Sequence, residues 1–185
     1  MLQYMQKEPE LTATIVDGII RAWPMQSAAK EIELLDEVEE ILSCCEADEF
    51  TGFCASLFRC LAKRMSSQHY QVAERSLYFL NKPYIIELIA ENLGRILPQI
   101  LPDLIVAAES HWNSTIVLLV CDILRSLNEL DTELFTKLID EIMKSDDSDS
   151  PRRSTARKTI ARASLRASDM QRRETLAMDA QPNAR

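Results

Sequence analysis

SSQHYQVAERSLYFLNKPYII, running from Ser66 to Ile86, reads as two short helices with almost no linker. It opens on Ser66-Ser67, a residue type whose hydroxyl accepts from the free N–H groups of a helix start. Val72, Ala73, Leu77 and Leu80 then recur every three or four positions, with Tyr70 one turn earlier. Glu74, Arg75 and Ser76 fall off that stripe. Asn81-Lys82-Pro83 closes the helix, because proline disfavours helical geometry in the residue before it. Tyr84-Ile85-Ile86, with Leu88 and Ile89, starts a second apolar run at once. Short helices that each need a neighbour to cover an apolar side are the units of stacked helical-repeat proteins.

Outward from this segment the pattern recurs. Upstream, Phe53, Leu57, Phe58, Leu61 and Met65 mark a helix for which Asp48 can serve as cap. Before it, Ala28 to Cys45 forms a longer helix with Ile32, Leu35, Val38, Leu42 and Cys45 inward, widened by Leu34 and Ile41. Its other side carries Glu31, Glu33, Asp36, Glu37, Glu39, Glu40 and Glu46. An earlier helix has Pro9 in its first turn, Leu11, Ile15, Ile19 and Trp23 along one stripe, and Pro24 at its end. Met1–Gln6 reads as the last turns of a helix whose beginning is missing.

Downstream, Ile85–Asn92 is followed by a break at Gly94, and Arg95–Ala108 resumes as helix. Pro98 fits its first turn, and Pro102 predicts a kink or a short discontinuity. Ser110-His111-Trp112-Asn113 is a polar corner with one large aromatic. Ser114–Leu127 and Thr132–Met143 are the final helices, with Asp131 the cap between them. Eight or nine helices, paired at intervals of about 40 residues, predict an all-α, HEAT-like helical-repeat solenoid (an α-α superhelix) over residues 1–144. The first helix lacks the polar outer face that a terminal unit needs, so the expectation is a partial solenoid, the C-terminal part of a longer one. The competing expectation is an intact globular helical domain of the same length.

Composition agrees with helices. Apolar residues make up 46% with only three glycines, too few for a turn-rich β fold. The net charge of −8 divides unevenly: residues 151–185 hold nine Lys/Arg against three Asp/Glu, leaving 12 against 26 before them. An acidic body argues against nucleic acid as partner of the folded part, since phosphate neutralisation needs cations there. From SDDSDSP onward no apolar stripe is sustained, and residues 145–185 read as a disordered tail, acidic and then rich in Ser and Arg. Ser154, Thr159, Ser164 and Thr175 each follow basic residues, as basic-directed kinases require. Chance placement in such a tail is the equal alternative. Every apolar run falls short of the ~20 residues of a spanning helix, and no signal peptide appears, so the expected location is the cytoplasm, with the nucleus open to it as well.

The sequence assembles no reactive centre. Five cysteines form no CxxC pair, and neither His69 nor His111 completes a metal set, so small core thiols in a reducing compartment are expected. No phosphate-cradling loop or nucleophile elbow is present, and no cofactor or small-molecule substrate is implied. Glu39 and Glu40 could be read as acid and base, but adjacent helical positions point about 100° apart, which favours a solvated acidic face. Asn113-Ser114-Thr115 matches a glycosylation acceptor; a corner residue is the better reading of Asn113.

The chain also resembles a known family. VAERSLYFLN, preceded by LFRCLAKRMSSQHYQ and followed by PYIIELI, is similar to the late repeats of the B-prime regulatory subunits of serine/threonine protein phosphatase 2A. The likeness continues through ILPQILPDL and SHWNSTI and backwards through Ala22-Trp23-Pro24 and Glu39-Glu40-Ile41-Leu42, covering residues 1–143 in order. Trp23, Pro24, Glu39, Glu40, Arg59, His69, Val72, Glu74, Arg75, Tyr78, Asn81, Tyr84, His111, Trp112 and Asn113 match the family's pattern. Leu80 departs from it, where an aromatic is usual, and so does Pro83, where a polar or acidic residue is expected; both changes imply thinner or shifted packing at that helix junction.

The resemblance implies a non-enzymatic regulatory subunit that joins the phosphatase's scaffold and catalytic subunits and directs substrate choice. It implies further that late repeats contact the core enzyme, while the groove for substrate motifs lies in earlier repeats. On this reading Trp112 and Tyr78 pack between repeats, and Glu39, Glu40, His69, Glu74, Arg75, Asn81, His111 and Asn113 are candidates for partner contact or for fixing helix corners. A generic HEAT- or armadillo-type adaptor with other clients is the alternative.

Overall fold

A computed structural model describes residues 10–145, whose backbone forms eight helices and no strand. They are α1 (Glu10–Arg21), α2 (Ala28–Ser43), α3 (Ala47–Met65), α4 (Tyr70–Leu80), α5 (Pro83–Glu91), α6 (Leu93–Ser110), α7 (Ser114–Leu130) and α8 (Thr132–Ser145). The expectations for Met1–Gln6 and Pro9, and for the tail with Ser154, Thr159, Ser164 and Thr175, lie outside the described residues.

The helices stack in two layers. In one, α1 packs on α3, α3 on α6 and α6 on α8; in the other, α2 packs on α4 and α4 on α7. The pairs α3–α4 and α6–α7 close across the layers, which is the arrangement of a HEAT-like solenoid. The short helix α5 meets α4 and α6 and is an insertion between pairs. The two helices around Pro83 are therefore not one repeat: the partner of α4 is α3.

The core runs through α3, which has neighbours in both layers. Phe50, Leu57, Phe58, Leu61 and Met65 are fully buried, and Phe50 meets Phe53 and Phe58 edge to face with centroids 5.8 and 6.1 Å apart. Leu35, Val38 and Leu42 of α2 and Val72, Ala73, Leu77 and Leu80 of α4 face inward as their spacing predicts. The solenoid continues through Ile96, Ile100 and Leu104 of α6 and Ile116, Val120 and Ile123 of α7. Among the described residues, no helix is long and apolar enough to cross a membrane.

Several sequence expectations are corrected. Ser66 caps the end of α3 instead of opening α4; α4 starts at Tyr70 behind His69, whose N–H is taken by the Ser67 hydroxyl at 3.2 Å. Ser76 is fully buried, its hydroxyl satisfied by donation to the Val72 carbonyl at 2.7 Å, whereas Tyr70 points outward. On α1 the fully buried positions are Thr12 and Val16, one step round from the expected stripe, of which Trp23 is buried, Ile15 and Ile19 are half-buried against the core and Leu11 is exposed. Glu46, not Asp48, precedes α3; Asp48 lies in the first turn, where its charge favours the helix dipole. Cys45 lies beyond the end of α2 and is half-buried.

The break before α6 falls at Asn92, with Gly94 inside the helix. Asn92 is buried: its amide donates to the Leu88 carbonyl at 3.1 Å and its side-chain oxygen accepts from the Thr51 hydroxyl at 2.9 Å. The side chain thus satisfies a carbonyl at the end of α5 and ties the junction to α3. Because α6 starts early, Pro98 lies inside it with Pro102, and the helix runs through both without the discontinuity expected. Gly94 and Pro102 are exposed and Pro98 half-buried, so the carbonyls deprived of a donor fall on the side water can reach.

Shortening Phe58 at the centre of α3 removes a fully buried ring. We expect Phe58→Ala to lower unfolding stability by about 3–5 kcal/mol in urea denaturation, against less than about 0.5 kcal/mol for Leu118→Ala on the exposed side of α7.

Candidate partner-binding surface

The turns within successive repeats are fastened to one another. Between α1 and α2, the Trp23 indole donates to the Glu31 carboxylate at 2.9 Å. Arg64, at the end of α3, donates to the same oxygen at 3.2 Å and lays its guanidinium over the Trp23 ring, 4.7 Å from its centroid. Arg64 also contacts the Met25 sulfur. Glu31 and Arg64 are both buried, so Glu31 does not stand on the outer acidic side where its position in α2 put it. A carboxylate is tolerated there because the guanidinium and the indole N–H supply charge and hydrogen bonds together.

One repeat further on, the turn His111–Asn113 grips the turn Ser66–His69. His111 is buried; its Nε2 lies 3.0 Å from the Ser67 carbonyl and its Nδ1 accepts from the Asn113 N–H at 3.1 Å. A carbonyl only accepts and an amide N–H only donates, so these two partners fix the neutral ring with its proton on Nε2. Asn113 in turn caps α7, its side-chain oxygen accepting from Thr115 N at 2.9 Å. The Trp112 indole donates to the Gln68 carbonyl at 3.0 Å, stacks on His111 and meets Tyr70 edge to face at 6.3 Å. Trp112 is nevertheless 63% exposed and Tyr70 43%. Trp112 does bridge to the preceding repeat, but it is not enclosed there: its hydrogen bond and ring contacts hold it in place with most of its surface in water.

Toward the other ends of α2 and α4 lies an open pocket of about 540 Å³. Arg75 bridges the helices, donating to Asp36 at 2.7 Å and also to Glu39. Lys82 reaches the second Glu39 oxygen at 3.0 Å, and the Tyr84 hydroxyl donates to the Glu39 carbonyl at 3.2 Å. Partial burial works against ionising Glu39, but the hydrogen bonds and charges of Lys82 and Arg75 outweigh it and hold the carboxyl below its usual range. For Arg75, partial burial is likewise outweighed by Glu39 and Asp36, which hold its pKa above the usual value. Burial, reinforced by the Glu39 charge, raises the Tyr84 phenol.

Of the residues marked in the sequence, Glu39, Glu40 and Arg75 therefore share this pocket, while His111 and Asn113 share a turn with His69 close by. Glu74 is half-buried, and Asn81 ends α4 on the lip of a separate apolar groove. That groove opens where thinner packing was expected. Tyr78 is exposed on the pocket wall instead of packing between repeats. Sequence reading missed the roles of Asp36, Lys82, Glu31 and Arg64, whose partners lie a repeat away; the arginine and tryptophan near helix ends were the available signals.

Among the described residues, no group of His, Cys, Asp or Glu is arranged to hold a metal ion. Cys54 is buried, Cys44 exposed and the others half-buried, all of them free thiols. Burial, followed by the hydrogen bond to Glu49, pushes the Cys45 thiol up to about 12, the opposite of an activated nucleophile.

Fold and surface together define a helical-repeat platform whose prominent features are turns and helix ends. A family model for the protein phosphatase 2A regulatory B subunit (B56 family) matches residues 1–168, and the chain belongs to that family. It is 41% identical over 138 residues to the mouse serine/threonine-protein phosphatase 2A 56 kDa regulatory subunit alpha isoform, covering 75% of this chain and 28% of that protein. Over 135 residues it is 42% identical to the human delta isoform, covering 73% and 22% of the two chains. To the regulatory subunit pptr-1 of Caenorhabditis elegans it is 40% identical over 138 residues, covering 75% and 26%. The chain thus spans about a quarter of the length of the curated relatives it matches.

The Glu39 cluster has a signature in pH. A carboxyl held low in the fold contributes stability that is fully present above its unfolded pKa of about 4.3 and is lost as pH falls through the lower folded value. Glu39→Gln is expected to cost about 1–2 kcal/mol at pH 7 and to flatten the fall in stability below pH ~4.3 relative to wild type, as read by thermal melts from pH 2 to 7.

Proposed function

We propose that this chain acts by binding, as part of a regulatory subunit that engages the scaffold and catalytic subunits of protein phosphatase 2A and helps direct its substrate choice. The observation that carries this reading is the fastened row of turns ending in Trp112 and Tyr70. A large aromatic held by an indole hydrogen bond yet open to solvent has little conformational entropy left to lose on docking. Aromatics of this kind are the residues on which protein interfaces concentrate their affinity. Family membership supplies the partner, since the relatives are named as regulatory subunits of that phosphatase.

On this reading the protein performs no catalysis of its own, and it works in the cytoplasm, with the nucleus open to it as well. Residues 145–185 act as a tail to the repeats, and Ser154, Thr159, Ser164 and Thr175 are its sites of phosphorylation. The partners are proteins, with no nucleic acid or small-molecule substrate.

Surface plasmon resonance of the full chain over immobilised scaffold–catalytic core tests this. Wild type is expected to bind, and Trp112→Ala to weaken binding at least about tenfold, whereas Leu118→Ala leaves it unchanged. Absence of wild-type binding at low and high salt, with other proteins co-purifying, would favour an adaptor with other clients.

A further inference from the structure

Helix α5 is nine residues long and lies between two longer helices. Because it is short, the space between it, the end of α4 and the C-terminal half of α7 is not filled. What remains is a groove of about 240 Å³ with Leu80, Ile86, Ile89, Ile123, Leu127 and Leu130 along it and Glu129 on its rim. Ile86 is half-buried and Leu130 exposed, so apolar surface is left to water. The volume is below the ~300 Å³ at which small-molecule sites begin and suits one or two aliphatic side chains.

We propose that this groove is the docking site for the chain's own segment Arg162–Arg166, with Leu165 as the anchoring side chain. Three observations select this occupant. The first is reach: Leu165 lies 20 positions beyond Ser145, up to ~66 Å of extended chain, whereas α7 with its 17 residues is only ~25 Å long. The second is charge. Residues 151–185 carry nine Lys/Arg against three Asp/Glu, and Leu165 has Arg166 beside it and Arg162 three residues before. The groove offers Glu129 on its rim, whose contact with Arg125 is a loose 3.9 Å. The third is the family match, which runs past α8 to residue 168; it includes Leu165 and leaves out Leu176, the next leucine of the tail.

The same geometry makes the contact sensitive to modification. Ser164 adjoins the anchor and follows Arg162, the pattern of a basic-directed kinase site. A phosphate there brings a charge of about −2 to a rim that already carries Glu129 and so opposes docking. The inference is independent of the phosphatase reading.

Methyl NMR of the full chain decides it. The expected result is cross-peaks between Leu165 and the methyls of Ile86, Ile123 or Leu127. Leu165→Asp should abolish them and shift those groove methyls while leaving core Ile100 in place, which shows that the variant is folded. A peptide of residues 157–168 added to the Leu165→Asp chain should restore the groove shifts, and its Ser164-phosphorylated form should bind at least about tenfold more weakly. The proposal is overturned if Leu165 shows no cross-peaks, if Leu165→Asp leaves the groove methyls unmoved, or if Ile160→Asp alone shifts them. Cross-peaks seen only between differently labelled copies would overturn it in favour of exchange between chains.

Discussion

Among the described residues, every helix of the two layers depends for its burial on a helix one repeat away. The requirement is visible in the side-chain bonds between repeats: Arg64 to Glu31 spans 33 positions, Arg59 to Gln99 and Lys63 to Asp103 each span 40, and Tyr84 to the Glu39 carbonyl spans 45. Magnitudes separate what holds the stack from what aligns it. A fully buried Leu, Phe or Met contributes about 1.5–3 kcal/mol as an upper estimate, and α3 alone buries Phe50, Leu57, Phe58, Leu61 and Met65. Each neutral hydrogen bond between repeats nets only ~1 kcal/mol, and exposed pairs such as Lys63–Asp103 less. Apolar stacking therefore supplies the stability, and the polar bonds set the register in which one repeat meets the next.

The buried pair Glu31–Arg64 shows the second role most clearly. Desolvating two charges offsets much of their attraction, so the pair adds little net stability over an apolar equivalent. It does oblige the turn after α1 to meet the end of α3 in one arrangement, because any slip strands a charge away from water. His111 imposes the same condition on the next pair of turns through its two ring nitrogens. A row of turns aligned in this way presents Trp112 and Tyr70 at fixed positions, as a docking edge requires.

The periodicity of apolar residues made the helices, most of the core and the two-layer repeat legible in the sequence. Val72, Ala73, Leu77 and Leu80 needed only their spacing to be placed. What stayed hidden depends on partners some 40 positions away. Glu31 sits on a helix whose outer side is acidic, and nothing local shows that Arg64 and Trp23 will enclose it. Ser76 falls off the apolar stripe by its spacing, yet a bond to its own helix makes it a neutral occupant of the core. The family resemblance implies packing between repeats for Trp112, whereas only the neighbouring turn reveals that its N–H is engaged with most of its ring left outside. Side-chain type predicts burial on average; at repeat junctions, the geometry of the next repeat overrides it.

Regular stacking leaves little free space, so the two recesses described above are informative. The charged pocket uses Lys82 and Tyr84, and the apolar groove uses Asn81, Ile86 and Ile89. Both therefore flank the junction between α4 and α5, where Pro83 starts the one short helix that belongs to neither layer. Proline suits the first position of a helix and ends the preceding one, so the insertion is written into the chain at that residue. A nine-residue helix cannot match the length of α4 or α6, and the mismatch opens a space on either side of it. The irregularity that spoils the repeat thus borders both recesses, one lined by paired charges and the other by aliphatic side chains.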